Sequence, residues 1–463
     1  MLRDPRLLVT AVSAALATGT IFLHSIPAQA QMVLEEVVVT ARKREESLQE
    51  TPIAVTALSG QNLEEMGLRD ISDLRKVAPN LDLYDGNGTA GAGNVFIRGV
   101  GARNTGVNFD SGVGIYIDGV YVSRPDGAIL DNVDLQSVQV LRGPQGTLFG
   151  KNTTGGAILY TTNRPQEVFE GHAEIRAGNY DRLDGQLTLN IPLVGDTLLS
   201  RFSVYGTSRD GYVKSRANGN ASVTDGEEYS DINRYGGQAQ LRWNAADDLV
   251  VDFNYHYAKT DQGARGQDCE VVEGIPGAGW QAELQNTFIV VPSTGKTIQT
   301  WCQENNDLGI DRIQTDLLPN KYQAETNTLS MTVDWELAGD VYFKSITSWR
   351  GTESAAANEL DSIGIPNLHR TNFGWGGQAE PRDTNAYSQE FQVSGMAFDE
   401  KMDYVFGVYF FGEESDAGTA VSPTGPYFGA LFNPLQAFYT NTSTELLTEN
   451  TSASAFSQVD WNF

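Results

Sequence analysis

The sequence is poor in basic residues, in cysteine and histidine, and in long apolar runs beyond its first residues. Lys and Arg number 32 against 59 Asp and Glu, a formal net charge of −27 at pH 7. Phosphate binding needs a basic face, so this balance excludes a nucleic-acid partner. The four histidines (His24, His172, His256 and His369) are scattered, and no HExxH or CxxC spacing occurs. The common metal-hydrolase and redox motifs are therefore missing, and neither a catalytic constellation nor a cofactor is expected. After Leu23 no apolar run reaches the ~18 residues that a membrane-crossing helix requires. A mature chain that enters a membrane must then do so as a closed β-barrel.

What is present begins with a leader. Met1–Ala30 has basic Arg3 and Arg6, an apolar run from Leu7 to Leu23, and the small-x-small site Ala28-Gln29-Ala30. This is the pattern of a bacterial secretory signal peptide, which lies outside the fold. Next comes Glu36-Val37-Val38-Val39-Thr40-Ala41, three valines among charged neighbours. The valines favour an extended backbone. An exposed strand of this kind is suited to adding itself to another protein's sheet through main-chain hydrogen bonds. An ordinary first strand of the following domain is the plainer alternative.

Residues 48–163 read as one glycine-rich α+β domain. Ser59–Val77 predicts two short helices, the first ended by Gly67 and the second capped by Asp70 and Asp73. Strands then alternate with tight turns through Val95-Phe96-Ile97-Arg98-Gly99, Ile115-Tyr116-Ile117-Asp118-Gly119 and Val138-Gln139-Val140-Leu141-Arg142-Gly143. Lys151 lies among glycines, but the GxxxxGK[ST] spacing of a phosphate loop is absent.

The segments Glu36–Ala41, Phe96-Ile97-Arg98-Gly99, Ile117-Asp118-Gly119 and Leu141–Gly150, with Gly155-Gly156, resemble in order the TonB box and plug of TonB-dependent outer-membrane receptors. The resemblance implies a mainly β fold, a transmembrane antiparallel barrel of about 22 strands with the α+β plug in its lumen. It implies a Gram-negative outer membrane reached through the periplasm, with lipid around the barrel and no enzymatic activity. It further implies active uptake of a scarce ligand, with TonB, from the inner-membrane energy-transducing complex, gripping Glu36–Ala41. Ferric siderophores are the commonest cargo of the family; vitamins, nickel chelates and oligosaccharides are others.

The remaining residues, 164–463, read as barrel without the resemblance. In Leu249–Tyr257, Leu249, Val251, Phe253, Tyr255 and Tyr257 face one way, opposed by Asp252, Asn254 and His256. Ten such strands are expected, near 169–178, 182–191, 198–208, 235–243, 248–258, 324–335, 341–350, 384–395, 402–412 and 452–463. Short connections alternate with long ones, as they do when one barrel end faces the periplasm and the other the outside. Trp243, Trp335 and Trp461 repeat just before the short-turn ends and predict an interfacial girdle.

Ten strands spaced ~4.8 Å apart and tilted by ~40° close a ring only ~20 Å across. A plug of about 120 residues is roughly 35 Å wide, so the expectation is a partial barrel in a piece of a longer receptor. Cys269 and Cys302, the only cysteines, fall in the longest connection. In an oxidising exterior a bridge between them would confine that loop by ~3–4 kcal/mol, two free thiols being the alternative.

Two sites complete the expectations. Arg103, Asn104, Asn108 and Phe109, on a plug turn that the family directs outward, offer the convergent polar groups of a ligand pocket. Tyr387–Val393 resembles the family's Ser-Gln-Glu barrel strand, which implies that Glu390 lies within ion-pair reach of the plug arginine Arg98 or Arg142. A passive porin-like channel and a secreted β-sandwich adhesin are the competing functions, and the first is opposed by a domain large enough to block the lumen.

Overall fold

The computed structural model describes residues 38–85, 93–102, 110–124, 134–216, 225–263, 296–314, 321–359, 382–423 and 442–461, apart from 41, 44, 45, 50, 338 and 400, with short stretches at 266, 290–291, 368–371, 373–374 and 378–379. It opens on a small antiparallel hairpin, β1 (Val38–Val39) paired with β2 (Glu46–Ser47).

The plug follows as β3 (Val55–Ser59), α1 (Gly60–Glu65), a 3-10 helix (Ile71–Lys76), β4 (Leu81–Asp85), β5 (Gly93–Ile97), β6 (Val100–Gly101), β7 (Val113–Ile117), β8 (Val120–Val122), β9 (Leu135–Arg142), α2 (Gly146–Phe149) and β10 (Gly156–Thr162). The helix boundaries have local causes. Ser59 Oγ accepts from Asn62 N at 3.2 Å, and Gly67 takes a φ of 64° past the end of α1. Asp70 and Asp73 cap each other's backbone reciprocally at the start of the second helix, which closes as 3-10 rather than α. Five strands form a sheet in the order β3-β9-β10-β7-β8, with β10 and β7 parallel. Leu63, Leu74, Ile97, Val138, Val140 and Ile158 belong to the core that this sheet buries against the helices and β4–β5. At Gly156 only glycine fits, because a Cβ would stand 2.2 Å from Leu141 O.

The wall consists of β11 (Glu170–Gly178), β12 (Arg182–Val194), β13 (Leu198–Arg209), β14 (Ile232–Ala246), β15 (Leu249–Gln262), β16 (Tyr322–Glu336), β17 (Val341–Glu359), β18 (Arg382–Ala397), β19 (Met402–Pro423) and β20 (Thr442–Trp461). Each pairs antiparallel with the next. A short strand, Leu368–Thr371, bridges β17 and β19 to make eleven. All ten expected strands are present. Those ending in long connections run further than expected, since paired backbone continues beyond the apolar alternation: β19 reaches Pro423 and β20 starts at Thr442. Among the described residues β11 and β20 each have one neighbour, so the sheet is open.

The burial pattern of the wall is inverted. Its polar side chains are buried: Arg201, Asp252, His256, Thr328, Glu390 and Glu413 lie on the inner face. Its large apolar ones are exposed, among them Phe202, Phe253, Leu329, Phe391, Phe406 and Phe410 on the outer face. In water this arrangement would cost free energy at every position. It is stable where hydrocarbon replaces water outside and the plug supplies hydrogen-bond partners within. Trp243, Trp335 and Trp461 are exposed near the ends that carry short turns. No helix is long and apolar enough to cross a membrane among the described residues. On the long-connection side, α3 (Ile298–Asn306) carries Cys302, which is buried and disulfide-bonded. Cys269 lies outside the described residues.

Candidate functional site at the seam of plug and wall

The N-terminal strand is docked, which corrects the expectation of an exposed strand. Val39 is fully buried, and β1 is held by β2. In β9, Val138 and Val140 point into the plug core, so Gln139 projects from the opposite face of the sheet. There Gln139, only 1% exposed, accepts a hydrogen bond from Thr40 N at 3.1 Å and donates one to Thr40 Oγ1 at 3.3 Å. Val38, Val39 and Thr40 are thus the described part of the expected box; Glu36, Val37 and Ala41 lie outside the described residues.

Two cations directly after the strand carry the hairpin to the wall. Arg42 donates through Nε and Nη2 to Glu46, at 2.8 and 2.7 Å, and through Nη1 to Asp460 of β20 at 2.8 Å. Lys43 adopts a φ of 60° and places its ammonium against Glu390 of β18, with the rings of Phe149 and Phe456 at 5.4 and 5.1 Å. Gln392 Nε2 donates to the same Glu390 oxygen at 2.5 Å. Burial pushes the Lys43 ammonium below its ordinary pKa, and the Glu390 carboxylate opposes that shift.

Glu390 therefore faces the lumen as expected, but its partner is Lys43. Neither Arg98 nor Arg142 is ion-paired with it among the described residues. Arg98 sits in the tight β5–β6 turn with a φ of 54°, exposed, while Arg142 is half-buried with its Nε lacking a hydrogen-bond partner. Alternation along a strand tells which face a carboxylate occupies. It does not tell which plug residue stands opposite, and here the N-terminal hairpin supplies it.

Other ties join plug to wall and were missed in the sequence. Arg124 meets Glu413 of β19 through Nη2 at 2.5 Å and Nε at 3.1 Å, both side chains buried. Asp134 accepts from Arg201 of β13 at 2.6 and 2.7 Å, from Ser203 at 2.7 Å and from Gln238 at 3.1 Å. Arg164, in the link that leaves the plug, pairs with Asp252 of β15, which also holds Arg242. Asp118 accepts from Thr162 N at 2.9 Å and lies 3.7 Å from His256. Burial alone would raise the Asp118 pKa; the hydrogen bonds and charge of His256 and the Thr162 N–H hold it below its ordinary value. A signal for these pairs did exist, in charged residues at inward mid-strand positions, where an unpaired charge would be costly. Arg103, Asn104, Asn108 and Phe109 lie outside the described residues.

Residues 47–157 match the family described as the TonB-dependent Receptor Plug Domain. The pesticin receptor of Yersinia pestis is 30% identical over 208 residues, which is 44% of this chain and 30% of that protein. The vitamin B12 transporter BtuB of Vibrio vulnificus is 24% identical over 260 residues, 55% of this chain and 39% of that protein. Among solved structures, the ferric yersiniabactin uptake receptor FyuA of Yersinia pestis superposes with a TM-score of 0.66 at 19% identity. That superposition covers 88% of this chain and 54% of FyuA, so the chain spans about half the length of that receptor.

Proposed function

We propose, from the plug-domain match over residues 47–157 and from the fold, that this is a TonB-dependent receptor chain that serves to draw a scarce ligand, a ferric siderophore, across an outer membrane. We read it as a transporter rather than an enzyme, with TonB as the energising partner and outer-membrane lipid around the wall. The observation that carries this reading is the docking of Val38–Lys43. A two-residue edge strand is fixed by a few polar contacts to the plug sheet and to the inner face of the wall. Its second edge has no strand partner among the described residues, which leaves it able to pair with an incoming strand. A passive channel has no use for such a handle.

Val38→Pro tests the reading, because proline removes a main-chain donor and fixes φ. In cells starved of iron, ferric siderophore should still bind at the surface while uptake stops. Collapse of the proton-motive force should have the same effect on the unaltered receptor. Uptake that survives both treatments would refute the proposal. The relationship to a vitamin B12 transporter favours a cobalamin as the second candidate ligand, and growth rescue by cobalamin rather than by siderophore would select it.

A further inference from the structure

A cavity of about 510 Å³ lies on the long-connection side of the wall, where β13 and β15 end, β14 begins and Lys321 leads into β16. All of its lining residues belong to the wall and its connections, so the plug takes no part in it. Its volume falls within the roughly 300–1,000 Å³ of small-molecule pockets.

The lining is rich in acceptors and carries an excess of negative charge. Asp210, Glu227, Glu228, Asp231 and Asp261 share it with two cations, Arg209 and Lys321. Lys321 lies 3.6 Å from Asp261, and Lys214 lies 3.3 Å from Glu228. Arg209 is committed elsewhere, donating to Ser230 O and standing 5.0 Å over the ring of Tyr212. Among the described residues no ion pair ties it to Asp210 or Asp231. Asp231 is half-buried and accepts from Gly263 N at 2.6 Å. Burial nevertheless raises its pKa above the ordinary value, the mark of a charge with too little compensation.

Gln262 makes an independent demand on the same cavity. It lines the cavity at 7% exposure, and its Oε1 has no hydrogen-bond partner. A buried amide oxygen in that state costs free energy until a donor reaches it. Water supplies a donor but no charge, and an anion would add to the repulsion. A neutral polyol would serve Gln262 and leave Asp210 and Asp231 uncompensated. Calcium takes roughly six to eight oxygens, and among the described residues no group of three or more acidic, histidine or cysteine side chains could hold a metal ion. An organic donor with positive charge meets both demands.

We propose that this cavity binds a protonated alkylamine, whose N–H groups are accepted by Gln262 Oε1 and by the carboxylates of Asp210 and Asp231. The site stands apart from the transporter reading. The ammonium belongs either to a free small amine or to an arm of a larger ligand, and its chemistry is the same in both.

Calorimetric titration of the full-length receptor in detergent with cadaverine tests this. Saturable binding is expected, and Asp231→Asn and Gln262→Met should each weaken it at least tenfold. Asp210→Asn, on an exposed side chain, should weaken it several-fold and covers failure of the other two variants to fold. The mono-N-acetyl derivative of cadaverine separates the sources. Unchanged affinity assigns the site to the single ammonium arm of a larger molecule, and a tenfold loss assigns it to a free diamine. Absence of saturable binding would overturn the proposal, as would equal affinity for the uncharged diol of the same length. So would displacement of cadaverine by an equal concentration of calcium, or cadaverine binding that all three variants leave unchanged.

Discussion

Removing Arg124 should loosen the plug more than removing Arg124 and its partner together. Glu413 is 2% exposed; its Oε1 is held by the Arg124 guanidinium and its Oε2 has no partner. Arg124→Met would leave that carboxylate buried and unpaired, at a cost of about 3–5 kcal/mol. At about 1.4 kcal/mol per tenfold, the equilibrium between seated and displaced plug shifts by roughly a hundred- to a few-thousand-fold. A second change, Glu413→Gln, removes the stranded charge. Because neutral groups can replace a buried pair at little net cost, the double variant should recover most of the loss. Hydrogen exchange of the plug strands in detergent-solubilised receptor measures the displacement free energy directly. The four proteins of the cycle give the coupling, expected at ~2–4 kcal/mol in the stabilising direction. If the single variant costs less than ~1 kcal/mol, or the double variant is as weak as the single, the pair does not hold the plug.

Three further expectations follow from the same structure. Gln139→Leu removes both hydrogen bonds to Thr40 and should release the N-terminal strand by roughly 1–3 kcal/mol, read as faster proteolysis beside Val38; unchanged cleavage would discard Gln139 as the dock. Asp118 is held below its ordinary 3.8, so its contribution is complete above about pH 4 and is lost as pH falls through the lowered value. Acid titration of plug stability should therefore show a loss below pH 4 that Asp118→Asn flattens, and identical acid profiles would deny the carboxylate this role. On the outer face, Leu329→Arg should destabilise the folded barrel by about 2–4 kcal/mol and Gln323→Arg by at most about 1, since the cost of a charge falls from mid-height to the interface. Equal effects in a vesicle refolding titration would remove β16 from the lipid.

The resemblance in the first 160 residues and the alternation in the rest carried the fold a long way. Ten strands were legible because period 2 is a local property: once the backbone is extended, Phe253 and Tyr255 must face away from Asp252 and Asn254. Helix ends were legible for the same reason, since Ser59, Asp70 and Asp73 cap residues only two to four positions away. The inward side of Glu390 belonged to this class too. Its partner did not, because a partner depends on how deep the plug sits and how it is turned, and both are set by contacts between residues hundreds of positions apart. Lys43 with Glu390, Arg124 with Glu413 and Arg42 with Asp460 are of that kind, and alternation carries no register between domains. So too with the N-terminal strand. Three valines made it extended, but only the folded plug, by turning Gln139 outward and offering a buried place for Val39, decided that it is held in place.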